Sequence, residues 1–515
     1  MQKHRTDHSL CAVDRDATSG GTSAAERRLG VLAVFFGLAL LTLLSVRNGT
    51  FFDDEIASIQ LIGSARNLRE VIALANGSDV HPPLGFALDW LLLRLGLGLK
   101  GVQIVAGLAN AAGLAAFVAL AARALPRRAW WVLVGLAATA ASAVLWGASL
   151  RWYAWFNPMF LLSLGLVLWS PAGPRSRLAV AALVSIVLFH TGYLAVIAAP
   201  LLWLAWLWRQ RAEGRIRWRA LTFAAGATVL ACTPQAVVLW TVHLPNQAVQ
   251  RGSLAASAVQ TGTTLILGNA VQPLAPLPIA AGLLILSALV LAWRQRPILP
   301  LATLCALGAV LLAASGLGYK PRNAEFLALA LLPVLATGLT ALPRRWQPAA
   351  FALIALFQLR GYANVALHEG TAKRSFNTPY TLIVERVRQW GADCPAVVVS
   401  HGDPVLAHLL GPGIRQQGPF APAGQALRPG DCLLVEDGIA SAPSPADRDW
   451  IAARDSLPMR IERAASWRDE SAFARAAALL GKTITPYAAR LEKRRVTAPA
   501  LLPPYGSPRA GSAAD

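Results

Sequence analysis

Charged residues are scarce in this sequence of 515 residues: 14% are Asp, Glu, Lys or Arg, whereas 55% are hydrophobic. A soluble domain usually carries about 25% charged residues. The apolar surface of so long a chain exceeds what one globular core can bury, and the excess needs lipid. The composition therefore excludes a single soluble domain and predicts a membrane protein.

Acidic residues are the scarcer sign, with 27 Asp and Glu against 47 Lys and Arg, so the net charge is +20. Clustered cations can neutralise nucleic-acid phosphates, but here they form short clusters scattered between apolar runs. The clusters are Arg27-Arg28, Arg127-Arg128, 175–177, 209–219, 294–296 and Arg344-Arg345. This pattern is typical of cytoplasmic loops between membrane spans, and no nucleic-acid partner is expected.

Several motifs are absent as well: the sequence has no P-loop, no Gly-rich strand–turn–helix fingerprint and no paired Cys/His metal motif. Enzymes that use nucleotide sugars usually need a Rossmann-like domain, so their class is disfavoured. The residues present require no cofactor. A divalent metal at the acidic triplet described below stays open as an alternative.

Eleven apolar runs are long enough to cross the bilayer as helices. They are 29–46, 102–123, 130–149, 152–169, 178–189, 190–208, 220–241, 274–293, 298–317, 322–341 and 349–366. A further apolar run, 84–99, is short and carries Asp89 and Arg94. All the basic clusters fall on the cytoplasmic side only if 84–99 does not cross, so we predict an interfacial or half-spanning helix there.

Eleven crossings place the N-terminus in the cytoplasm and the C-terminus outside. We predict a disordered cytoplasmic tail over 1–28, a transmembrane module over 29–366, an extracytoplasmic α/β domain over 367–494 and a disordered tail over 495–515. Within the module, 47–101 forms a first outer loop with interfacial helices. The run after residue 28 lacks a clear cleavage site, which indicates an anchor and not a removable signal peptide.

In the predicted outer domain, the apolar runs 396–400 and 431–435 predict strands, and 446–456 and 470–481 predict helices. Cys394 and Cys432 both fall in this domain, where the compartment permits disulfides. A bridge between them would contribute on the order of 3–4 kcal/mol. Two buried free thiols are the alternative, and the sequence does not choose between them.

Ionisable and aromatic residues from separate loops reach the outer face in this topology. They are Asp53, Asp54, Glu55, His81, Arg151, Tyr153, His190, Tyr193, Lys320 and Arg322. Ionisable groups at membrane depth are costly unless they pair or line a wet cavity. Carboxylates with several cations around them predict general-base chemistry on an anionic substrate.

Each of these residues also has a purely structural interpretation. The acidic triplet 53–55 would cap a helix, and Arg151 would extend its charge to the lipid headgroups from a helix end. His190 would be a hydrogen-bonded core residue. The conjunction of the residues, and not any one of them, favours a functional site.

Order and spacing add a family resemblance. Asp53-Asp54-Glu55 followed by Asp79-Val80-His81-Pro82-Pro83 resembles the protein-mannosyltransferase-like branch (glycosyltransferase family 39 type) of the integral-membrane GT-C glycosyltransferases. The segments 149–154, 190–193 and 321–323 are similar to that family's Arg-x-Tyr, His-Tyr and Pro-Arg-Tyr segments, with Asn323 in place of the last tyrosine. The resemblance covers roughly 30–365.

The resemblance implies a polytopic α-helical GT-C fold and transfer of a sugar from a polyprenyl-phosphate donor to an extracytoplasmic hydroxyl, with inversion. Asp54 matches the catalytic acid, supported by Glu55 or Asp53. We predict that His81, Arg151, Lys320 and Arg322 are the cations that bind the donor phosphate. Tyr153, His190 and Tyr193 are the predicted substrate-binding residues.

Two other functions stay open: a transporter or flippase for a lipid-linked saccharide, and a polysaccharide ligase or polymerase. Transporters often show repeated halves with charges near the mid-membrane, and no internal repeat is apparent here. The sequence predicts a multi-pass protein of the cell (inner) membrane with membrane lipid around it. The acceptor is a glycolipid, a glycan or a protein, and the sequence does not distinguish among them.

Overall fold

The computed structural model describes residues 22–49, 53–79, 81–214, 216, 218–244, 253–271, 275–295, 298–368, 371, 378–401, 403–418, 423–437, 445–468 and 487–504. Contacts divide the chain into two units. Met1–Asn48 and Ser58–Leu367 form the first, which we call the helical unit. Gly49–Ala57 and His368–Asp515 form the second, which we call the α/β unit.

Helices build the helical unit. Their bounds are α1 Ala24–Asn48, α2 Asp53–Ser64 (which begins in the segment assigned to the α/β unit), α3 Leu68–Ser78, α4 Pro83–Arg94, α5 Leu99–Ala121, α6 Arg127–Ala138, α7 Ala141–Gly147, α8 Trp152–Trp169, α9 Pro174–Thr191, α10 Ala195–Ala212, α11 Trp218–Val238, α12 Leu254–Leu267, α13 Pro276–Trp293, α14 Leu299–Ala314, α15 Glu325–Ala330, α16 Leu332–Ala341 and α17 Gln347–Leu367. A π-helical turn, Leu239–His243, continues α11, and two 3₁₀ turns, Leu317–Tyr319 and Pro321–Ala324, precede α15.

Within the described residues, six helices are long and apolar enough to cross a membrane, namely α1, α5, α8, α11 with its π-helical turn, α13 and α17. Two bent pairs, α6 with α7 and the segment 321–330 with α16, raise the number to eight. The chain is thus a multi-pass membrane protein. The three other predicted spans coincide with the helices α9, α10 and α14. Each of the eleven predicted runs is thus helical, but only six to eight of them qualify as membrane spans by length and composition.

The bends arise where backbone hydrogen bonding is interrupted. Segment 321–330 and α16 meet at 53°. Pro333 is the second residue of α16, and proline has no backbone N–H to donate to the preceding turn. The axes of α6 and α7 meet at 42°, beside Thr139, whose hydroxyl donates to the Gly135 carbonyl at 2.9 Å. Both predicted spans, 130–149 and 322–341, are therefore broken helices.

Small residues allow α1, α5 and α8 to pack closely. A Cβ atom on Gly113 of α5 would lie 2.5 Å from the Pro158 Cβ of α8, and one on Gly107 would lie 2.4 Å from the Thr42 methyl group of α1. Asn110, also on α5, donates its side-chain N–H to the Ala154 carbonyl of α8 at 2.5 Å. Close backbone approach and buried side-chain hydrogen bonds are the usual basis of helix association in membranes.

The predicted interfacial segment 84–99 forms α4, a helix of 12 residues that is too short to cross the bilayer. It packs against α3 around Phe86 and Val71. Trp90 and Arg94 both donate to the Ala65 carbonyl oxygen, at 3.2 and 3.1 Å. These bonds tie α4 to the turn between α2 and α3.

The α/β unit contains helices α18 Tyr380–Gly391, α19 Pro404–Leu410 and α20 Pro445–Asp455. Its strands are β1 Val397–Ser400, β2 Arg415–Gln417, β3 Gln425–Leu427, β4 Cys432–Asp437, β5 Met459–Arg468, β6 Tyr487–Val496 and β7 Ala500–Leu502. Five strands pair in the order β2-β1-β4-β6-β5, with β1 parallel to β2 and β4, and the remaining pairs antiparallel.

Alternating side chains build a core on each face of this sheet, because successive strand residues point to opposite sides. Val399 and Leu434 pack with Ile383 of α18 and Leu406 of α19. The other face buries a second group: Val398, Leu427, Leu433, Val435, Val496 and Leu502. The predicted small α/β domain is confirmed by these layers.

The predictions for individual segments have different outcomes. The predicted strands 396–400 and 431–435 and the predicted helix 446–456 are confirmed as β1, β4 and α20. Residues 470–481 and 505–515 lie outside the described residues, as do 1–21 of the predicted tail. The expectation of disorder over 495–515 is wrong at its start, because β7 pairs with β3 and fully buries Leu502.

Cys394 and Cys432 form a disulfide, which decides the alternative that the sequence left open. We expect denaturing alkylation of the full chain to label two more cysteines after reduction than before. Replacing both cysteines by serine should destabilise the α/β unit by about 3 kcal/mol, since the bridge restricts the unfolded chain. Limited proteolysis of the membrane-embedded protein measures this as faster cleavage within 378–504.

The control is Cys232→Ser, because Cys232 is a free thiol of the helical unit and its replacement should leave the gain of two labels unchanged. Equal labelling of the wild-type chain with and without reductant would contradict the bridge.

Candidate active site

The acidic triplet occupies the first turn of α2. Negative charge is favourable there because the helix N-terminus carries a partial positive charge. Glu55 is fully buried. The side chains of Asp53 and Asp54 lie outside the described residues, so the catalytic role expected of Asp54 stays a prediction.

Arg151 connects three separate segments of the helical unit. It precedes α8 in an extended conformation and is 5% exposed. Its Nη1 donates to the Ser58 hydroxyl of α2 at 2.9 Å and to Asp79 Oδ2 at 3.3 Å, and its guanidinium lies 5.9 Å from the Phe86 ring of α4. Arg151 thus points into the protein interior, and the interpretation in which it extends to the lipid headgroups is wrong.

Asp79 shapes the turn that presents His81. Its Oδ1 accepts the His81 backbone N–H at 2.9 Å, which is the local bond by which aspartate stabilises turns. Pro82 then caps α4 and Pro83 is its first residue, where a missing N–H costs nothing. The Asp-x-His-Pro-Pro motif is therefore a turn between α3 and α4 with a fixed entry into the second helix.

The His81 imidazole lies against Trp152, with ring centroids 5.2 Å apart. Trp152 itself has little freedom, because a Cβ on Gly192 would lie 2.4 Å from its ring and one on Gly85 would lie 3.1 Å from its Cα. Gly192, just after α9, thus leaves room for the indole that contacts His81, and Gly85 of α4 leaves room for the Trp152 backbone.

Removal from water lowers the pKa of His81 to about 3, and the Arg151 charge acts in the same direction. The imidazole is therefore neutral at pH 7 and can donate one hydrogen bond but brings no charge. The role of His81 at a donor phosphate stays a prediction, with the imidazole uncharged in this environment.

Lys320 and Arg322 lie on the 3₁₀ turns that follow α14, after Gly316 has turned the chain with a φ of +75°. Lys320 acts electrostatically on His81, and the Arg322 guanidinium lies 5.9 Å from the Tyr153 ring. Tyr153 is fully buried. The predicted Arg151, Tyr153, His81, Lys320 and Arg322 therefore belong to one neighbourhood.

Asn323 occupies the position where the GT-C resemblance has a tyrosine. Its side-chain N–H donates to the Leu317 carbonyl oxygen at 2.7 Å, and its backbone N–H donates to the Lys320 carbonyl at 3.0 Å. Both bonds are local, so this residue stabilises the turn that carries Lys320 and Arg322.

His190 and Tyr193 contact α11. His190 Nε2 lies 3.2 Å from the Ala231 carbonyl oxygen, which agrees with the structural interpretation of this residue. The Tyr193 hydroxyl accepts a hydrogen bond from Gln235 Nε2 at 2.8 Å, and the same nitrogen lies 3.1 Å from Asn76 Oδ1. Gln235 of α11 thereby joins Tyr193 to the end of α3, whereas His190 contacts the backbone of α11 at Ala231.

Sequence reasoning missed Ser58, Gln235 and His243, and it treated Asp79 only as part of a motif. His243 ends the π-helical turn, is 3% exposed and lies 5.7 Å from the Tyr193 ring. Its Nε2 has no hydrogen-bond partner among the described residues, and it interacts electrostatically with Asp79 and His81. π-Helical turns are frequent at functional sites, but no sequence pattern marks them.

No metal-binding group of three His, Cys, Asp or Glu side chains is present within the ranges that the structure describes. The carboxylates of Asp53 and Asp54 lie outside them.

No family model matches the sequence, and no curated protein matches it. The fold, however, is the GT-C membrane glycosyltransferase fold, as predicted. The chain is similar to the crystal structure of ArnT from Cupriavidus metallidurans in the apo state, with a TM-score of 0.55, 13% identity, and coverage of 92% of this chain and 99% of that chain. At this identity, the likeness shows the fold alone.

Two further solved structures are similar to this chain. One is ArnT from the same organism bound to undecaprenyl phosphate, with a TM-score of 0.52, 12% identity, and coverage of 92% of this chain and 99% of that chain. The other is the arabinofuranosyltransferase AftD from Mycobacteria, with a TM-score of 0.46 and 17% identity, of which this chain covers 40%.

We expect Asp79→Ala to destabilise the helical unit by about 3–5 kcal/mol, because it leaves the Arg151 charge buried without its partner. Ser58→Ala removes one neutral acceptor and should cost only about 1 kcal/mol. Thermal unfolding of the purified protein in detergent compares the two. The double variant Asp79→Leu/Arg151→Met should recover much of the loss, and equal unfolding temperatures for Asp79→Ala and wild type would contradict the role of the pair.

His81 should make stability depend on pH. Because its pKa is lowered in the folded chain, protonation favours the unfolded state. Its contribution to stability is fully present above the ordinary histidine pKa of about 6.5 and is lost as the pH falls toward 3. Unfolding temperatures measured from pH 7.5 to 4.5 should fall less steeply for His81→Gln than for wild type.

The matched control is His408→Gln, since His408 is an exposed histidine of the α/β unit. This variant should keep the wild-type slope. If His81→Gln kept it as well, the lowered pKa of His81 would be refuted.

Proposed function

We propose that the chain is a membrane glycosyltransferase that moves a sugar from a polyprenyl-phosphate donor to an acceptor hydroxyl, with inversion at the anomeric carbon. Two findings support this proposal. The fold is similar to that of ArnT over 92% of the chain, and one of the ArnT structures is bound to undecaprenyl phosphate. The residues predicted to bind a donor phosphate also meet in one part of the helical unit.

That meeting is the observation that carries the proposal. The sequence separates Asp79 and His81, Arg151 and Tyr153, and Lys320 and Arg322 by long apolar runs, yet direct contacts and charge interactions connect them. A leaving phosphate gains negative charge as its bond to the sugar breaks. Fixed cations in a site of low dielectric stabilise that charge strongly.

The cations have different tasks in this proposal. Arg151 is buried and bonded to Ser58 and Asp79. We assign it to holding these two segments together and to adding positive charge to the site without direct contact with the phosphate. Lys320 and Arg322 are half-buried in the segment of 3₁₀ turns before α15, and we assign them to binding the phosphate oxygens. Arginine suits this task because its planar group binds two oxygens at once. His81 contributes a neutral hydrogen-bond donor.

Asp54 is the proposed general base. It lies one helical turn before Ser58 on α2, and Ser58 is bonded to Arg151. The Asp54 carboxylate takes the proton of the acceptor hydroxyl while the hydroxyl oxygen attacks the anomeric carbon. The bond from that carbon to the phosphate oxygen breaks, and polyprenyl phosphate leaves with the electron pair. Glu55 or Asp53 supports the base.

We assign Tyr153, His190 and Tyr193 to substrate binding in an indirect sense. Tyr153 lies beneath the Arg322 guanidinium and limits its position. Tyr193, Gln235 and His243 form a cluster of polar side chains, which is suited to hydrogen bonding with sugar hydroxyls. His190 fixes α11 through the Ala231 carbonyl.

The proposed setting is the cell inner membrane, with the N-terminus in the cytoplasm and the site and the α/β unit outside. The acceptor is a glycolipid, a glycan or a protein.

Asp54→Asn tests the reaction, because it removes the base with almost no change of size. We expect sugar transfer to fall by about 10²–10⁴-fold or more, in keeping with the usual contribution of a positioned base. The assay supplies membranes with a panel of radiolabelled polyprenyl-phosphate sugars and follows label into lipid, glycan and protein fractions. Glu385→Gln, which changes an exposed acid on α18, is the control and should transfer at the wild-type rate.

Full transfer by Asp54→Asn would refute the role of this residue. If the folded wild-type protein transferred sugar from none of the donors but moved a lipid-linked saccharide across a vesicle membrane, the transporter reading would replace the proposal. Transfer only of assembled polysaccharide would favour a ligase or polymerase.

A further inference from the structure

A cavity of about 890 Å³ opens on the α/β unit at the amino ends of the parallel strands β1, β2 and β4. Helix α18 forms one wall with Val387 and Arg388, and the start of β2 forms another with Ile414 and Arg415. The turn before β4 closes the third side with Arg428 and Asp431. The cavity thus combines an apolar floor with three arginines.

These arginines differ from the cations of the unit that are paired with carboxylates. Lys493, Arg494 and Arg495 are each paired with carboxylates, Lys493 with Asp393 and Glu462. By contrast, Arg388, Arg415 and Arg428 are exposed and form no ion pair with any residue that the structure describes. Among the described residues, the unit thus pairs several basic side chains with carboxylates, and three that are not paired in this way surround one cavity.

Asp431 is the one acidic residue among the described residues that line the cavity, and its single negative charge offsets only part of the three positive charges. It is 6% exposed, and its Oδ2 accepts the backbone N–H of Arg428 at 2.8 Å. The carboxylate is thus used to fold the turn that carries Arg428. Three like charges in a concavity with low-dielectric walls raise the local concentration of anions.

The cavity walls are held in place by covalent and backbone constraints. The Cys394–Cys432 disulfide joins the turn that enters β1 to the first residue of β4, so it links two walls of the cavity. Gly430, with a φ of +92°, lets the chain turn sharply between Arg428 and β4. A binding site whose walls are fixed before binding loses less entropy when a ligand arrives.

We propose that this cavity binds a phosphate monoester attached to an organic group, such as a sugar or a glyceride. The guanidinium groups of Arg388, Arg415 and Arg428 take the phosphate oxygens, for which their planar donors are suited. The half-buried Ile414 contacts the carbon skeleton. This site lies wholly within the α/β unit and does not depend on the proposed glycosyl transfer.

Calorimetric titration of the detergent-solubilised full chain tests the proposal with two kinds of phosphate monoester. Glucose 1-phosphate represents a free sugar phosphate, with glucose as its uncharged comparator. Dihexanoyl phosphatidic acid represents a lipid headgroup, with dihexanoyl phosphatidylcholine as its comparator. Binding of either phosphate, without binding of its comparator, is the expected result, and the pattern identifies the source of the ligand.

Each single change, Arg388→Gln, Arg415→Gln or Arg428→Gln, should weaken binding roughly ten-fold or more, as expected for charge-assisted hydrogen bonds. The triple variant should lose it. Because these side chains are exposed, unfolding temperatures and the disulfide should stay as in wild type. Arg386→Gln is the matched control: Arg386 lies on the same helix α18, is exposed, contacts Trp390 and does not line the cavity.

Two results would overturn the proposal. One is binding of neither phosphate by the wild-type chain. The other is an equal effect of Arg386→Gln and of the cavity variants, which would show attraction by net charge and no defined site.

Discussion

The buried ion pair between Arg151 and Asp79 is the constraint on which the rest of the site depends. It joins the start of α8 to the turn before α4, and the same guanidinium bonds Ser58 on α2. Burying the Arg151 charge without a partner would destabilise the fold strongly. The three segments that pair with it or bond it are therefore held together. His81, Trp152 and Tyr153 then take their positions as neighbours of this pair.

Irregular backbone brings the remaining site residues to the same neighbourhood. The 3₁₀ turns before α15 carry Lys320 and Arg322, and the π-helical turn after α11 carries His243. Backbone polar groups released by such irregularities need partners inside the protein, since lipid offers none. Asn323 meets this need locally by bonding the Leu317 carbonyl. Irregularity and polarity therefore occur together, away from the regular helices that make up most of the unit.

The sequence predicted features that depend on local pattern. Apolar runs located the helices of the helical unit, of which six to eight qualify as membrane spans, and short apolar runs located β1 and β4. Strand β7 was missed because it depends on pairing with the distant strand β3, and the bend at Pro333 was missed although its cause is local. The charge state of His81 and the inward direction of Arg151 depend on burial and on neighbours far along the chain, which periodicity does not report.

The Asp-x-His-Pro-Pro turn has a consequence for how motifs in such chains are interpreted. The Asp79 carboxylate bonds the His81 backbone and Arg151, and the two prolines are the N-cap and the first residue of α4. Selection for the architecture alone would thus preserve this motif, even in a descendant that had lost its chemistry. Under the proposed function, a paralogue with the motif but without an acidic first turn in α2 would be a pseudoenzyme candidate, so the presence of the motif alone would not indicate activity.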